Sequence, residues 1–215
     1  MLKKYSLAVL LLFVALLFCE CKEVKQEETE QTPSVATGEV SIPARNPKWA
    51  VPIEGKECSN LHKVSDDLYR GAQPTEECLK ELKKMGIKTV VNLRSFHSDR
   101  DEIGETGLAY EHIYMKAWNA EDEEIVRFLQ IVNDPARTPV FVHCQHGADR
   151  TGTMSAIYRN AMQGWTKDEA MKELTEGGFG WHAVWNETLL PYLRDLDIEA
   201  IKKRAGMEQQ PETQP

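Results

Sequence analysis

Val140-Phe-Val-His-Cys-Gln-His-Gly-Ala-Asp-Arg-Thr-Gly152 runs from an apolar stretch through a short polar loop into the start of a helix. Residues 139–143 (PVFVH) suit a short central strand, and a helix is expected from Arg150 to about Gln163, ending at Gly164. Cys144 stands at the carboxyl end of that strand, with five residues between it and Arg150. A tight loop between a strand and a helix N-terminus points several backbone N–H groups at one spot, which the helix dipole makes electropositive. A tetrahedral oxyanion such as phosphate is the natural guest. The same field favours the thiolate form of a cysteine placed beneath it. Arg150 adds a planar fork able to hold two phosphate oxygens at once. A thiolate under a bound phosphate implies attack on phosphorus.

Outward from this loop, strands and helices alternate. Residues 62–71 (HKVSDDLYRG) read as two short strands around a Ser-Asp-Asp turn. Pro74 and Thr75 open a helix with apolar Leu79, Leu82 and Met85, closed by Gly86. Residues 88–93 (KTVVNL) are a β-branched run fit for a buried strand, and Tyr110 to Met115 is another. Ile125, Phe128, Leu129 and Val132 recur at helical spacing behind an acidic first turn, Glu121 to Glu124. Thr166 and Glu169 form a capping box for the next helix, which Gly177 and Gly178 end. A last helix is expected over roughly Glu187 to Lys203. The pattern predicts an α/β fold with a central, mostly parallel sheet flanked by helices.

Composition bounds the rest. The 215 residues are 41% hydrophobic and 28% charged, an ordinary globular balance. Lys and Arg number 26 against 34 Asp and Glu, a formal −8, which disfavours nucleic acid as a partner because that needs a basic face. Five cysteines are too few for a disulfide-dense scaffold. Lys3 and Lys4 precede an unbroken apolar run from Leu7 to Cys19. That run is short for a bilayer span of about 20 residues, and it fits the apolar region of an export signal. Residues 1–20 are therefore read as a signal segment and the polar residues 21–46 as a disordered linker. Residues 47–205 form the folded domain and 206–215 a disordered tail. An apolar run ending at Cys19 or Cys21 resembles a bacterial lipoprotein signal, which implies export to the periplasm or cell envelope and a lipid anchor to the membrane.

His143, Cys144, Gly147, Arg150, Thr151 and Gly152 match the H-C-x-x-G-x-x-R-[ST]-G signature. The domain thereby resembles the cysteine-based protein tyrosine phosphatases, most closely their compact dual-specificity branch. The likeness extends to LYRGAQP (68–74), GIKTVVNLR (86–94), Tyr158 with Arg159, and Gly164 with Trp165, and spans roughly Trp49 to Leu196. It is similar to exported bacterial members and to the plant and fungal atypical dual-specificity phosphatases. The resemblance implies a dual-specificity phosphatase-like fold, with Cys144 as the nucleophile that forms a phosphocysteine. Arg150 would bind substrate phosphate and the transition state, and the backbone of Gln145, His146, Gly147, Ala148, Asp149 and Arg150 would form the cradle. Thr151 would stabilise the thiolate and His143 would orient the loop. No metal and no cofactor is implied, since amides and Arg150 supply the charge stabilisation.

Other readings of these residues are weaker. His143, Cys144 and His146 lack a further Cys/His cluster to complete a four-ligand metal site. Residues 147–153 imitate a nucleotide-binding G-x-x-x-x-G-K-[ST] loop without its lysine. Cys58 and Cys78 are left as either a disulfide or two unrelated thiols. A general acid is expected from the segment 117–124 (AWNAEDEE), with Asp122, twenty-two residues before Cys144, as first choice and Asp149 as second. Glu121 to Glu124 could equally serve only to complement the helix dipole. The expected substrate is a phosphoprotein carrying phosphotyrosine, with dual specificity as an extension, or a small phosphorylated molecule. The alternatives are an inositol phosphate or phosphoinositide phosphatase, and a phosphate-binding pseudoenzyme or envelope scaffold.

Overall fold

A computed structural model describes residues 45–54, 57–184 and 187–207. The expected signal segment, with Cys19 and Cys21, lies outside the described residues, as do nearly all of the linker and most of the tail. The chain runs β1 (Val51–Pro52), β2 (His62–Lys63), β3 (Leu68–Gly71), α1 (Glu76–Lys84), β4 (Thr89–Asn92), α2 (Arg100–Ile103) and β5 (Ala109–His112). It continues through α3 (Asp122–Val132), β6 (Val140–His143), α4 (Asp149–Gln163), α5 (Lys167–Glu176), α6 (Leu189–Asp195) and α7 (Ile198–Arg204). No helix among the described residues is long and apolar enough to cross a membrane.

The sheet has six strands in the order β1-β2-β3-β6-β4-β5. β3, β6, β4 and β5 are mutually parallel, whereas β1 and β2 extend one edge antiparallel. The expected α/β architecture with its mostly parallel sheet is what forms. Alternation of side chains across the strands explains why both faces are covered. Val90 and Phe141 point into one apolar cluster with Leu79 and Leu82 of α1, while Val91, Val140 and Val142 point into the other with residues of α3, α4 and α5. β6 lies between β3 and β4, with Gly71, Asn92 and His143 in register at their carboxyl ends. A central strand buried on both faces holds the residue that follows it with little freedom, and that residue is Cys144.

Three details depart from the sequence expectations. The expected terminal helix is two: Leu196 leaves helical geometry, and the Asp197 side chain accepts the Ala200 N–H at 3.0 Å, starting α7 afresh. β5 occupies Ala109–His112, somewhat earlier than its apolar run indicated, because it pairs residue for residue with Thr89–Asn92. The short elements β1 and α2 were not anticipated. The question over Cys58 and Cys78 is answered as well: they form a disulfide with a Cα–Cα distance of 4.9 Å, tying the segment between β1 and β2 to α1.

Candidate active site

The loop from Cys144 to Arg150 is shaped by its glycine and by three donors behind it. Gly147 has φ +71°, and a Cβ there would lie 2.5 Å from the carbonyl carbon of Gly71. Only glycine lets the loop lie so close to the end of β3. Arg70 Nη2 donates to the Gly147 carbonyl at 2.6 Å, Asn60 Nδ2 to the His146 carbonyl at 2.9 Å, and the Gln73 N–H to the Gln145 carbonyl at 3.2 Å. In a trans peptide the N–H of the next residue points opposite to the carbonyl. With these three carbonyls turned outward and held, the amides of His146, Gly147 and Ala148 turn inward, and these are three of the six residues expected to form an anion cradle.

Cys144 is buried at 3% exposure, on the floor of a cleft of about 510 Å³ lined by Ala117, Trp118, Gln145, His146, Asp149, Arg150 and His182. Arg150 Nη1 donates to the carbonyls of Leu93 and Met115, each at 3.3 Å, which hold its guanidinium against the loops that follow β4 and β5. Thr151 is fully buried, and its hydroxyl has no hydrogen-bond partner among the described residues. Gly152 packs against α5, where a Cβ would meet Leu174 Cδ1 at 2.1 Å.

His143 is fully buried, and its Nε2 lies 2.7 Å from Asp99 Oδ2. Asp99 Oδ1 accepts from Gln73 Nε2 at 2.7 Å, and Gln73 Oε1 accepts from Arg94 Nη1 at 3.1 Å. Burial pushes the Asp99 carboxyl up, but the bonds and charge from His143, Gln73 and His97 outweigh it and hold the group below the usual carboxylate range. Arg70 is also fully buried. Desolvation lowers its guanidinium to about 10 against the opposing pull of Glu173 and Cys144, and it lies 3.9 Å from the Phe179 ring centroid.

The two carboxylates proposed as acid candidates part company. Asp149 lines the cleft, and its oxygens accept the His182 backbone N–H at 3.0 Å and face His182 Nδ1 at 2.7 Å. Asp122 is not among the cleft-lining residues. It begins α3 on the side packed by α6 and α7, where it accepts from Tyr192 Oη and Arg204 Nη1, both at 3.0 Å. The loop before α3 brings Ala117 and Trp118 to the cleft instead.

Sequence reading assigned no role to Asn60, Arg70, Gln73, Asp99 or His182. Arg70 and Gln73 fall inside the quoted LYRGAQP stretch, so their positions carried a signal. Asn60, Asp99 and His182 reach the site only through tertiary packing. Among the described residues, His97, Asp99 and Glu102 place potential metal-ligand atoms within 4.8 Å of one another. Asp99 is there already committed to His143 and Gln73.

Residues 42–186 match the profile of a family described as a DSP-PTPase phosphatase fused to NAD+ kinase. The dual specificity protein phosphatase TpbA of Pseudomonas aeruginosa is 31% identical over 159 residues, covering 74% of this chain and 71% of that protein. A crystal structure of a Cys-to-Ser variant of TpbA in complex with pTyr superposes with a TM-score of 0.65 at 31% identity, over 76% of this chain and 98% of that one. The catalytic domain of the PP-IP phosphatase SIW14 from S. cerevisiae shares the fold, with a TM-score of 0.60 at 22% identity over 69% of this chain and 92% of that chain. The profile match spans well over half of the chain and includes the whole cradle, so this protein belongs to the dual-specificity-like family of cysteine-based phosphatases.

Proposed function

We propose that this chain hydrolyses phosphotyrosine on proteins through a phosphocysteine intermediate. The observation that carries this reading is the loop itself, with three outward-held carbonyls that turn the following amides inward in the segment that joins Cys144 to Arg150. Phosphate seated there meets the amides and Arg150, which stabilise the charge that builds on its oxygens. Cys144 Sγ attacks phosphorus, and the S–P bond forms as the ester O–P bond breaks. Water then breaks the S–P bond and releases inorganic phosphate. The unpartnered Thr151 hydroxyl suits the thiolate of each free state, and His143, held by Asp99, orients the end of β6.

Phosphotyrosine is favoured by the pTyr complex of the TpbA variant and by Trp118, whose exposed face on the cleft wall suits an aryl ring. Arg150 is the one arginine or lysine in the part of the cleft that holds Cys144, among the described residues, and Asp149 brings a carboxylate to it; Arg94 and Lys116 line the adjoining pocket beyond Trp118 and Gln145. The lining beside Cys144 suits a single phosphate better than a densely phosphorylated inositol. The test is turnover on matched phosphotyrosine, phosphoserine and phosphothreonine peptides, inositol phosphates and phosphoinositides, with Cys144→Ser as control. A preference for inositol pyrophosphates would replace the substrate assignment while leaving the chemistry in place.

The Lys3-Lys4 and Leu7–Cys19 pattern supports an exported enzyme held at the envelope by lipid on Cys19 or Cys21. The protein should then fractionate with membranes, and replacing both cysteines with Ala should release it. Unprocessed chain in the cytosol would contradict this.

A further inference from the structure

Departure of a poor leaving group, an alkoxide or the phenoxide of a weakly acidic phenol, needs a proton, and few groups in the cleft can supply one. Of its lining side chains, Cys144 is the nucleophile and an arginine keeps its proton. Asp149 has both oxygens engaged by His182, Oδ1 by its backbone N–H and Oδ2 by its ring Nδ1. Asp122 lies outside the cleft lining, bound by Tyr192 and Arg204. Two imidazoles remain, His146 in the cradle and His182 across from it, with ring centroids 5.6 Å apart.

We propose that His182 is the general acid of this phosphatase and that Asp149 is its positioning residue. The bond between Asp149 Oδ2 and His182 Nδ1 at 2.7 Å fixes the ring's orientation and tautomer. The second carboxylate oxygen holds the His182 backbone N–H, so both ends of the residue answer to the first residue of α4. The segment bearing His182 is itself tied to the cradle. Asn60 Nδ2 donates to the Phe179 carbonyl at 3.0 Å as well as to His146, and the Phe179 ring lies against the Arg70 guanidinium. A shift of the cradle therefore carries His182 with it.

In the first step the S–P bond forms, the ester O–P bond breaks, and the Nε2 proton of the imidazolium passes to the leaving oxygen. The neutral ring then takes a proton from water as that water attacks phosphorus. The S–P bond breaks, the Cys144 thiolate returns, and the imidazolium is restored.

This inference rests on the phosphatase reading, and the two fail differently. The readout is kcat across aryl and alkyl phosphates of graded leaving-group acidity. Good leaving groups depart without a proton, so the wild type should show a shallow dependence. His182→Gln should show a steep one, losing about 100-fold on poor leaving groups and little on good ones. Asp149→Asn should steepen the dependence in the same direction, and the double variant should be no worse than His182→Gln alone. Asp122→Asn should leave the dependence unchanged. Tungstate binding checks that His182→Gln keeps its cradle, and if it does not, added imidazole should restore turnover of poor leaving groups to His182→Ala. A shallow dependence in a folded His182→Gln, a steep one in Asp122→Asn, or absence of imidazole rescue would overturn the proposal. Absence of any Cys144-dependent turnover in the wild type would instead overturn the phosphatase reading.

Discussion

Arg70 never reaches the cleft lining, yet it decides which way the cradle faces. Its donation to the Gly147 carbonyl is what turns the Ala148 amide inward, so anion affinity depends on a residue the anion does not touch. Because the cradle is mostly backbone, Cys144→Ser should abolish turnover while tungstate still binds, as checked by calorimetry alongside phosphopeptide assays. Arg150→Lys should lose about 100-fold or more in kcat, since an ammonium cannot reproduce the bidentate fork. Asp99 yields a prediction of a different kind. Its pKa is lowered in the fold, so its contribution to stability is complete above the ordinary carboxylate value of about 4 and disappears as pH falls through the lowered one. Asp99→Asn should therefore weaken the fall in urea stability on acidification, relative to wild type. That Cys144 and Arg150 share one cleft was legible because one contiguous loop carries both. Asp99 was not, because forty-four positions separate it from His143 and only the sheet brings them together.

At the scale of elements, local signals served well wherever a periodic face met its own cap. Thr75 and Thr166 accept the amides of Cys78 and Glu169, starting α1 and α5 where the sequence places them. The division between α6 and α7 escaped notice because apolar spacing continues across Leu196, and only the Asp197 cap marks the restart. The choice of acid stayed open in the sequence for a related reason. An acidic first turn has the same composition whether it faces a substrate or, as Asp122 and Glu123 do, an arginine on α7. Cys58–Cys78 closes a loop across 20 positions, which chain entropy values at about 3 kcal/mol. Cys58→Ser with Cys78→Ser should lower the urea midpoint by a corresponding amount. At 25 °C the folded fraction should keep its phosphopeptide turnover, because neither cysteine lines the cleft.

At the scale of the molecule, one buried ion pair gathers segments that are far apart in the chain. Arg159 of α4 meets Glu173 of α5 in a bidentate pair, with Nε–Oε2 and Nη2–Oε1 each at 2.7 Å. The same guanidinium donates to the carbonyls of Lys48 and Val64 and lies 4.3 Å from the Trp165 ring centroid, and Glu173 also accepts the Ala50 N–H. The Tyr158-Arg159 and Gly164-Trp165 pairs seen in the sequence are thus parts of one brace between the N-terminal segment and the helices behind the cradle. Both partners are about 4% exposed, so removing either strands a charge in the interior, at a cost of about 3–5 kcal/mol. Removing both should cost less than the sum, because no uncompensated ion then remains. Glu173→Leu and Arg159→Met should each destabilise strongly, and the double variant should recover about 1–3 kcal/mol of their sum in urea unfolding. Recovery should stay incomplete, since the carbonyls of Lys48 and Val64 lose their donor in both Arg159 variants. Glu173→Leu should also weaken tungstate binding more than Arg159→Met does, because Glu173 is the leading opposite charge to the buried Arg70 that holds Gly147. Equal anion affinity in the two single variants would show that the brace supports the fold without reaching the cradle.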